Sequence, residues 1–101
     1  MSTKASAFIE GLVDGPLSLG NAIRALRLYE GVKKAALAKK LKVSQSYLSD
    51  LENNRKEVSA QQAVKFARIL KQSKAQFIRL ALQDSLTRQG LKFRVDVDDA
   101  A

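Results

Sequence analysis

From residue 5 to residue 87 the apolar positions recur every three or four residues, the spacing that gathers them on one face of a helix. Ala5, Phe8, Ile9, Leu12 and Val13 predict a short first helix over residues 5–13, weakened by Gly11 and ended by Asp14-Gly15-Pro16. Ser18 is placed to cap a helix running to Glu30, with Leu19, Ile23, Leu26 and Leu28 inward and Gly31 as its exit. Between Lys33 and Asn53 the positions Leu37, Ala38, Leu41, Val43, Leu48 and Leu51 predict two short helices broken at Lys42-Val43-Ser44. Asn53 to Glu57 read as a polar loop. Ser59 and Gln62 make a capping box for a helix over 59–71, with Ala63, Val64, Ala67 and Leu70 inward. Ser73 opens a last helix to Thr87, lined by Phe77, Ile78, Leu80 and Ala81.

After Gln89-Gly90 the period changes to two. Leu91, Phe93, Val95 and Val97 alternate with Lys92, Arg94 and Asp96, the pattern of a strand. A lone strand leaves its backbone groups unpaired, so the economical arrangement pairs it with its copy in a second subunit. A tail ordered only on another protein is the competing reading. The chain therefore divides into an arm (1–16), a helical body (17–87) and a C-terminal strand with an acidic end (88–101).

Composition narrows what such a chain does. Its 101 residues suffice for one compact domain. Lysine and arginine number 18 against 10 acidic residues, a net charge of +8, and three of the acids, Asp96, Asp98 and Asp99, crowd the C-terminus. That balance favours a polyanionic partner through counterion release, although solubility alone would also account for it. Cysteine and histidine are absent, which removes disulfides, thiolate metal sites and the commonest general base. No titratable pair stands at a catalytic spacing, so neither an enzyme nor a metal or cofactor is expected. Scarce aromatics argue against RNA. With no apolar run of about 20 residues and no leader pattern, the expected location is cytoplasmic. The helix beginning at Ser44 carries Gln45, Ser46, Ser49 and Asp50 on its polar face, amides and hydroxyls suited to base edges in the major groove.

Three stretches, LGNAIRALR, LAKKLKVSQSYLSDLENN and AVKFARIL, resemble the phage-repressor (Cro-like, or XRE) helix-turn-helix family over about residues 18–82. The resemblance implies an all-α, five-helix lambda-repressor-like bundle, here with the short N-terminal helix and the C-terminal β-strand added. It also implies a dimer whose helix from Ser44 to Asn53 reads double-stranded DNA. Gln45, Ser46, Ser49 and Asp50 become the base-contact candidates, and Lys33, Lys34, Tyr47, Arg55 and Lys56 the phosphate-contact candidates. Asp50 has a second reading as an ordinary exposed charge, Tyr47 as a surface packing residue, and Lys33 and Lys34 as a solvated face. Arg27 and Glu52 match a structural ion pair of the family. Leu91, Phe93, Val95 and Val97 are the dimerisation candidates.

The chain departs from the family pattern in three places. Lys42 stands in the turn where Gly is frequent, and would need a left-handed backbone at a cost of about 1 kcal/mol. Lys34 replaces a frequent Gln, trading an amide for a point charge and implying phosphate contact. Asn54 replaces a frequent Gly, being the best other residue for that conformation. The expected function is a dimeric, sequence-specific DNA-binding regulator, most simply a repressor at a palindromic operator. Its sharper version is an antitoxin that binds a toxin and represses its own operon. A protein-interaction adaptor without DNA binding is the alternative from another class.

Overall fold

The structure, a computed structural model, describes residues 17–100, so the helix expected over 5–13 lies outside the described residues. Five α-helices follow in order: α1 (Leu19–Glu30), α2 (Lys34–Leu41), α3 (Gln45–Glu52), α4 (Ala60–Leu70) and α5 (Lys74–Arg88). The chain forms two compact units, one ending at Lys56 and the other beginning at Glu57.

Serine opens four of the helices. The hydroxyls of Ser18, Ser44, Ser59 and Ser73 each accept from the backbone N–H three residues on, which satisfies a donor with no partner inside the helix. Helix α2 is the exception: its N-cap is Lys33, with no side-chain bond to the first turn. The exits share one device. After α1, α2 and α4, the residues Gly31, Lys42 and Lys71 turn left-handed, and their N–H and the next one fold back to carbonyls of the last turn. Asn54 (φ 61°) and Gly90 (φ 74°) do the same after α3 and α5.

In the first unit, α1 and α2 each pack on α3. Leu19, Ile23, Leu26, Leu37, Leu41, Leu48 and Leu51 are completely buried. Leu28 is a correction: it is 53% exposed, because it stands two positions beyond Leu26 and so on another side of α1. Val43 is half-buried. Gly20 is the point of closest approach. A Cβ there would collide with the carbonyl oxygen of Leu51, so α1 and the end of α3 meet backbone to backbone.

In the second unit, α4 packs on α5. Ala63, Phe66, Ala67, Leu70, Phe77, Leu80 and Ala81 are buried, while Val64 and Ile78 are only half-buried. Phe66, overlooked in the apolar pattern, completes the helical set with Ala63, Ala67 and Leu70. The strand expected over 91–97 is also corrected, since the described residues contain helices and no strand. Its place is taken by a side-chain clasp. Gln83 on α5 donates from Nε2 to the Phe93 carbonyl (2.8 Å), and its Oε1 accepts from the Val95 N–H (2.9 Å). One amide thus does for two backbone groups what a neighbouring strand would do for a row of them.

Candidate nucleic-acid interface

The geometry of α3 follows from which of its residues the core claims. Leu48, Leu51 and Glu52 are buried. Ser46, Ser49 and Asp50 take the opposite face, with Gln45 at its leading edge. Gln45 and Ser46 are exposed; Ser49 and Asp50 are half-buried. Because Ser44 caps the helix through the Tyr47 N–H (2.9 Å), the first turn is ordered up to the residue that begins it.

Two contacts hold that face. The Lys34 ammonium, on the first residue of α2, donates to the Ser49 hydroxyl at 3.3 Å. The hydroxyl oxygen is thereby used as an acceptor, and its own hydrogen is directed elsewhere. Asp50 lies 3.6 Å from a guanidinium nitrogen of Arg55, and the Arg55 N–H also bonds the Asp50 carbonyl at 2.8 Å. The side-chain pair is exposed and weak by itself; what it does is bias the direction of Arg55.

Beneath this surface lies a buried ion pair. Arg27 on α1 reaches Glu52 with Nε (2.8 Å to Oε2) and Nη2 (2.9 Å to Oε1). Its Nη1 donates to the Val32 carbonyl at 3.2 Å, tying the α1–α2 loop to the same guanidinium. Hydrogen bonding to Glu52 raises the Arg27 pKa above its already high ordinary value, outweighing desolvation, so the cation is permanent. A smaller network closes the other end of α1: the Ser18 hydroxyl donates to Asn54 Oδ1 (2.6 Å), and Asn54 Nδ2 donates to Asn21 Oδ1 (3.3 Å). Asn54 combines a left-handed backbone with a side chain that braces the turn after α3.

The remaining cations flank the exposed face in sequence. Lys33 is exposed at the uncapped start of α2, and Arg55 and Lys56 are exposed just past α3. Tyr47 is half-buried, and burial pushes its phenol above the ordinary value, so it remains an O–H donor through neutral pH. The four base-contact candidates therefore share one helix, and Lys34 meets one of them, Ser49, directly. The dimerisation candidates Leu91, Phe93, Val95 and Val97 belong to the second unit.

A family model described as a helix-turn-helix domain matches residues 18–80. The chain belongs to this helix-turn-helix family. No curated protein and no solved structure matched it. Within the family frame, α2, the turn at Lys42 to Ser44, and α3 are the helix-turn-helix itself, and a DNA-binding regulator with DNA as partner is the function that the family carries. Among the described residues no helix is long and apolar enough to cross a membrane, and no group of residues is placed to hold a metal ion. Sequence reading missed Gly20, although a glycine in the first turn of a helix signals a packing constraint. It also missed the Val32 carbonyl on Arg27, for which no local signal exists.

Proposed function

We propose that this helix-turn-helix protein is a sequence-specific transcriptional regulator, a Cro-like repressor that binds a palindromic operator as a dimer. The observation that carries the proposal is the exposed leading edge of α3, where Gln45 and Ser46 stand open on a helix held from behind by the Arg27–Glu52 pair. A rigid helix with unengaged amides and hydroxyls fits the major groove, where each good bidentate contact is worth about 1–3 kcal/mol of discrimination. Gln45 would read a base edge, and Ser49, its oxygen taken by Lys34, would offer its hydrogen to a base acceptor.

Lys33, Arg55, Lys56 and the Tyr47 hydroxyl would contact phosphates on either side, with the bare amides of the α2 first turn adding to the Lys33 site. Lys34 would divide its charge between phosphate and Ser49. Asp50 would act through Arg55, steering the guanidinium toward the backbone. No catalytic step and no cofactor are part of this reading. Its sharper form, an antitoxin repressing its own operon, rests on the segments flanking the helix-turn-helix and requires a stoichiometric toxin partner.

Selection of bound sequences from a random duplex library tests the proposal. A twofold-symmetric consensus with affinity falling steeply with salt is expected. Failure to retain any duplex at low salt would favour the adaptor reading.

A further inference from the structure

The C-terminal segment is held by its backbone while its side chains are left largely uncovered. Gln83 engages the Phe93 carbonyl and the Val95 N–H, and both groups lie on one edge of an extended chain, since successive residues direct their backbone groups to opposite edges. Lys92, Arg94 and Asp96 present theirs on the other edge. Among the described residues these backbone groups have no hydrogen-bond partner. Exposure along the tail follows period two from Arg94 onward, with Val95 and Val97 half-buried between exposed neighbours. Phe93 is 68% exposed.

We infer that the free edge receives the same segment of a second copy, antiparallel, with Val95 opposite Val95 on the twofold axis. The occupant is identified by the order of charges. In this register Lys92 faces Asp98 of the second copy and Arg94 faces its Asp96, each pair occurring twice. On the other face Phe93 lies beside Val97 of the second copy, covering an exposed ring and a half-buried valine together. Moving the axis by one residue either way sets Arg94 against Arg94 or Asp96 against Asp96, and a parallel pairing sets every charge against its like. The ladder would join Arg94 to Asp96 through the edge that Gln83 leaves open. Val95 is then a non-hydrogen-bonded pair, the type with closely spaced side chains. The inference deepens the dimeric reading above and rests on it, but not on DNA binding.

The charge order supplies a test that depends on register. Arg94→Asp should weaken the dimer about tenfold in sedimentation equilibrium of the full chain, because two attractive pairs become repulsive. Adding Asp96→Arg to the same chain should restore it, since position 94 meets position 96 of the other copy. The protein has no cysteine, so a single thiol can be read without background. Val95→Cys should oxidise to a covalent dimer rapidly, its Cα separation of about 4.5 Å falling within disulfide range. Leu91→Cys should not, lying about 26 Å from its counterpart at 3.3 Å per residue. A dimer by sedimentation with neither charge rescue nor preferential cross-linking at 95 would overturn the register while leaving the dimeric reading intact. A monomer at every concentration would overturn both, and DNA affinity measured alongside would show whether the recognition helix acts without them.

Discussion

Arg27 and Glu52 close on each other as a fork on a carboxylate, with both oxygens of Glu52 engaged at 2.8 and 2.9 Å and the side chains nearly lost to solvent. The pair joins α1 to the last turn of α3 and sets the bearing of the exposed face. Removing Arg27 leaves a buried, uncompensated carboxylate. Arg27→Ala is expected to cost about 3–5 kcal/mol in urea denaturation. Arg27→Lys should recover only part of this, because one ammonium cannot span two oxygens and the Val32 carbonyl. Unchanged stability in the alanine variant would remove the pair from its structural role.

Gly20 sets how closely α1 approaches α3. Gly20→Ala gains about 1 kcal/mol of helix propensity, yet its Cβ meets the Leu51 backbone, which cannot rotate away as a side chain would. Overpacking of about 1–3 kcal/mol should win, giving a net loss in Tm. An alanine variant as stable as the parent would show that the two backbones separate at little cost.

Lys42 and Lys71 hold left-handed conformations at φ 60° and 56°. Each substitution by glycine removes a backbone penalty of about 1–2 kcal/mol and returns part of it as unfolded-chain entropy. Lys42→Gly and Lys71→Gly should therefore each stabilise by roughly 0.5–1 kcal/mol, read from the denaturation midpoint. Gly31→Ala, at φ 67° with open space around it, should destabilise through backbone conformation alone.

These positions mark what the sequence reveals. The serine caps and the three-to-four spacing locate all five described helices to within a residue or two, because both are local effects. Lys42 and Asn54 are legible only through the family resemblance, and Lys71, which has the same geometry, is not legible at all. Arg27 and Glu52 are 25 residues apart, and nothing in their own neighbourhoods announces the contact. The period-two tail is visible as a pattern. Its clasp is not, because Gln83 resembles any other polar residue on a helix. Apolar spacing alone places Leu28 inward and passes over Phe66, because a leucine near a helix end satisfies the count as well as the phenylalanine that completes the stripe.

On DNA, the two kinds of contact should separate. Gln45→Ala should relax specificity at one base position per half-site, a loss of about 1–3 kcal/mol against the cognate base with little change in nonspecific affinity. Lys34→Ala should weaken all duplexes almost equally and lower the salt slope by about one. A Lys34 variant selective in its loss would move this residue to the base-reading group, through the Ser49 hydroxyl it now engages.

Tyr47 introduces an alkaline limit. Burial raises the folded pKa of its phenol above the ordinary value for tyrosine. The folded state therefore binds this proton more tightly than the unfolded chain does, and the associated stability is complete below about pH 10 and lost as pH rises through the folded value. Tyr47→Phe should flatten that part of the stability profile relative to the parent. Superimposable alkaline limbs would show that the hydroxyl is as well solvated as in the free chain.

The Gln83 amide grips backbone groups, the Phe93 carbonyl and the Val95 N–H, that any residue but proline supplies, so the side chains at positions 92, 94, 96 and 98 take no part in holding the tail. Homologues sharing one cell could then remain sorted. Were the tails to pair as proposed, a tail with acids before bases would find its own twin, yet meet this one with like charge at every facing site, and mixed pairs would be refused.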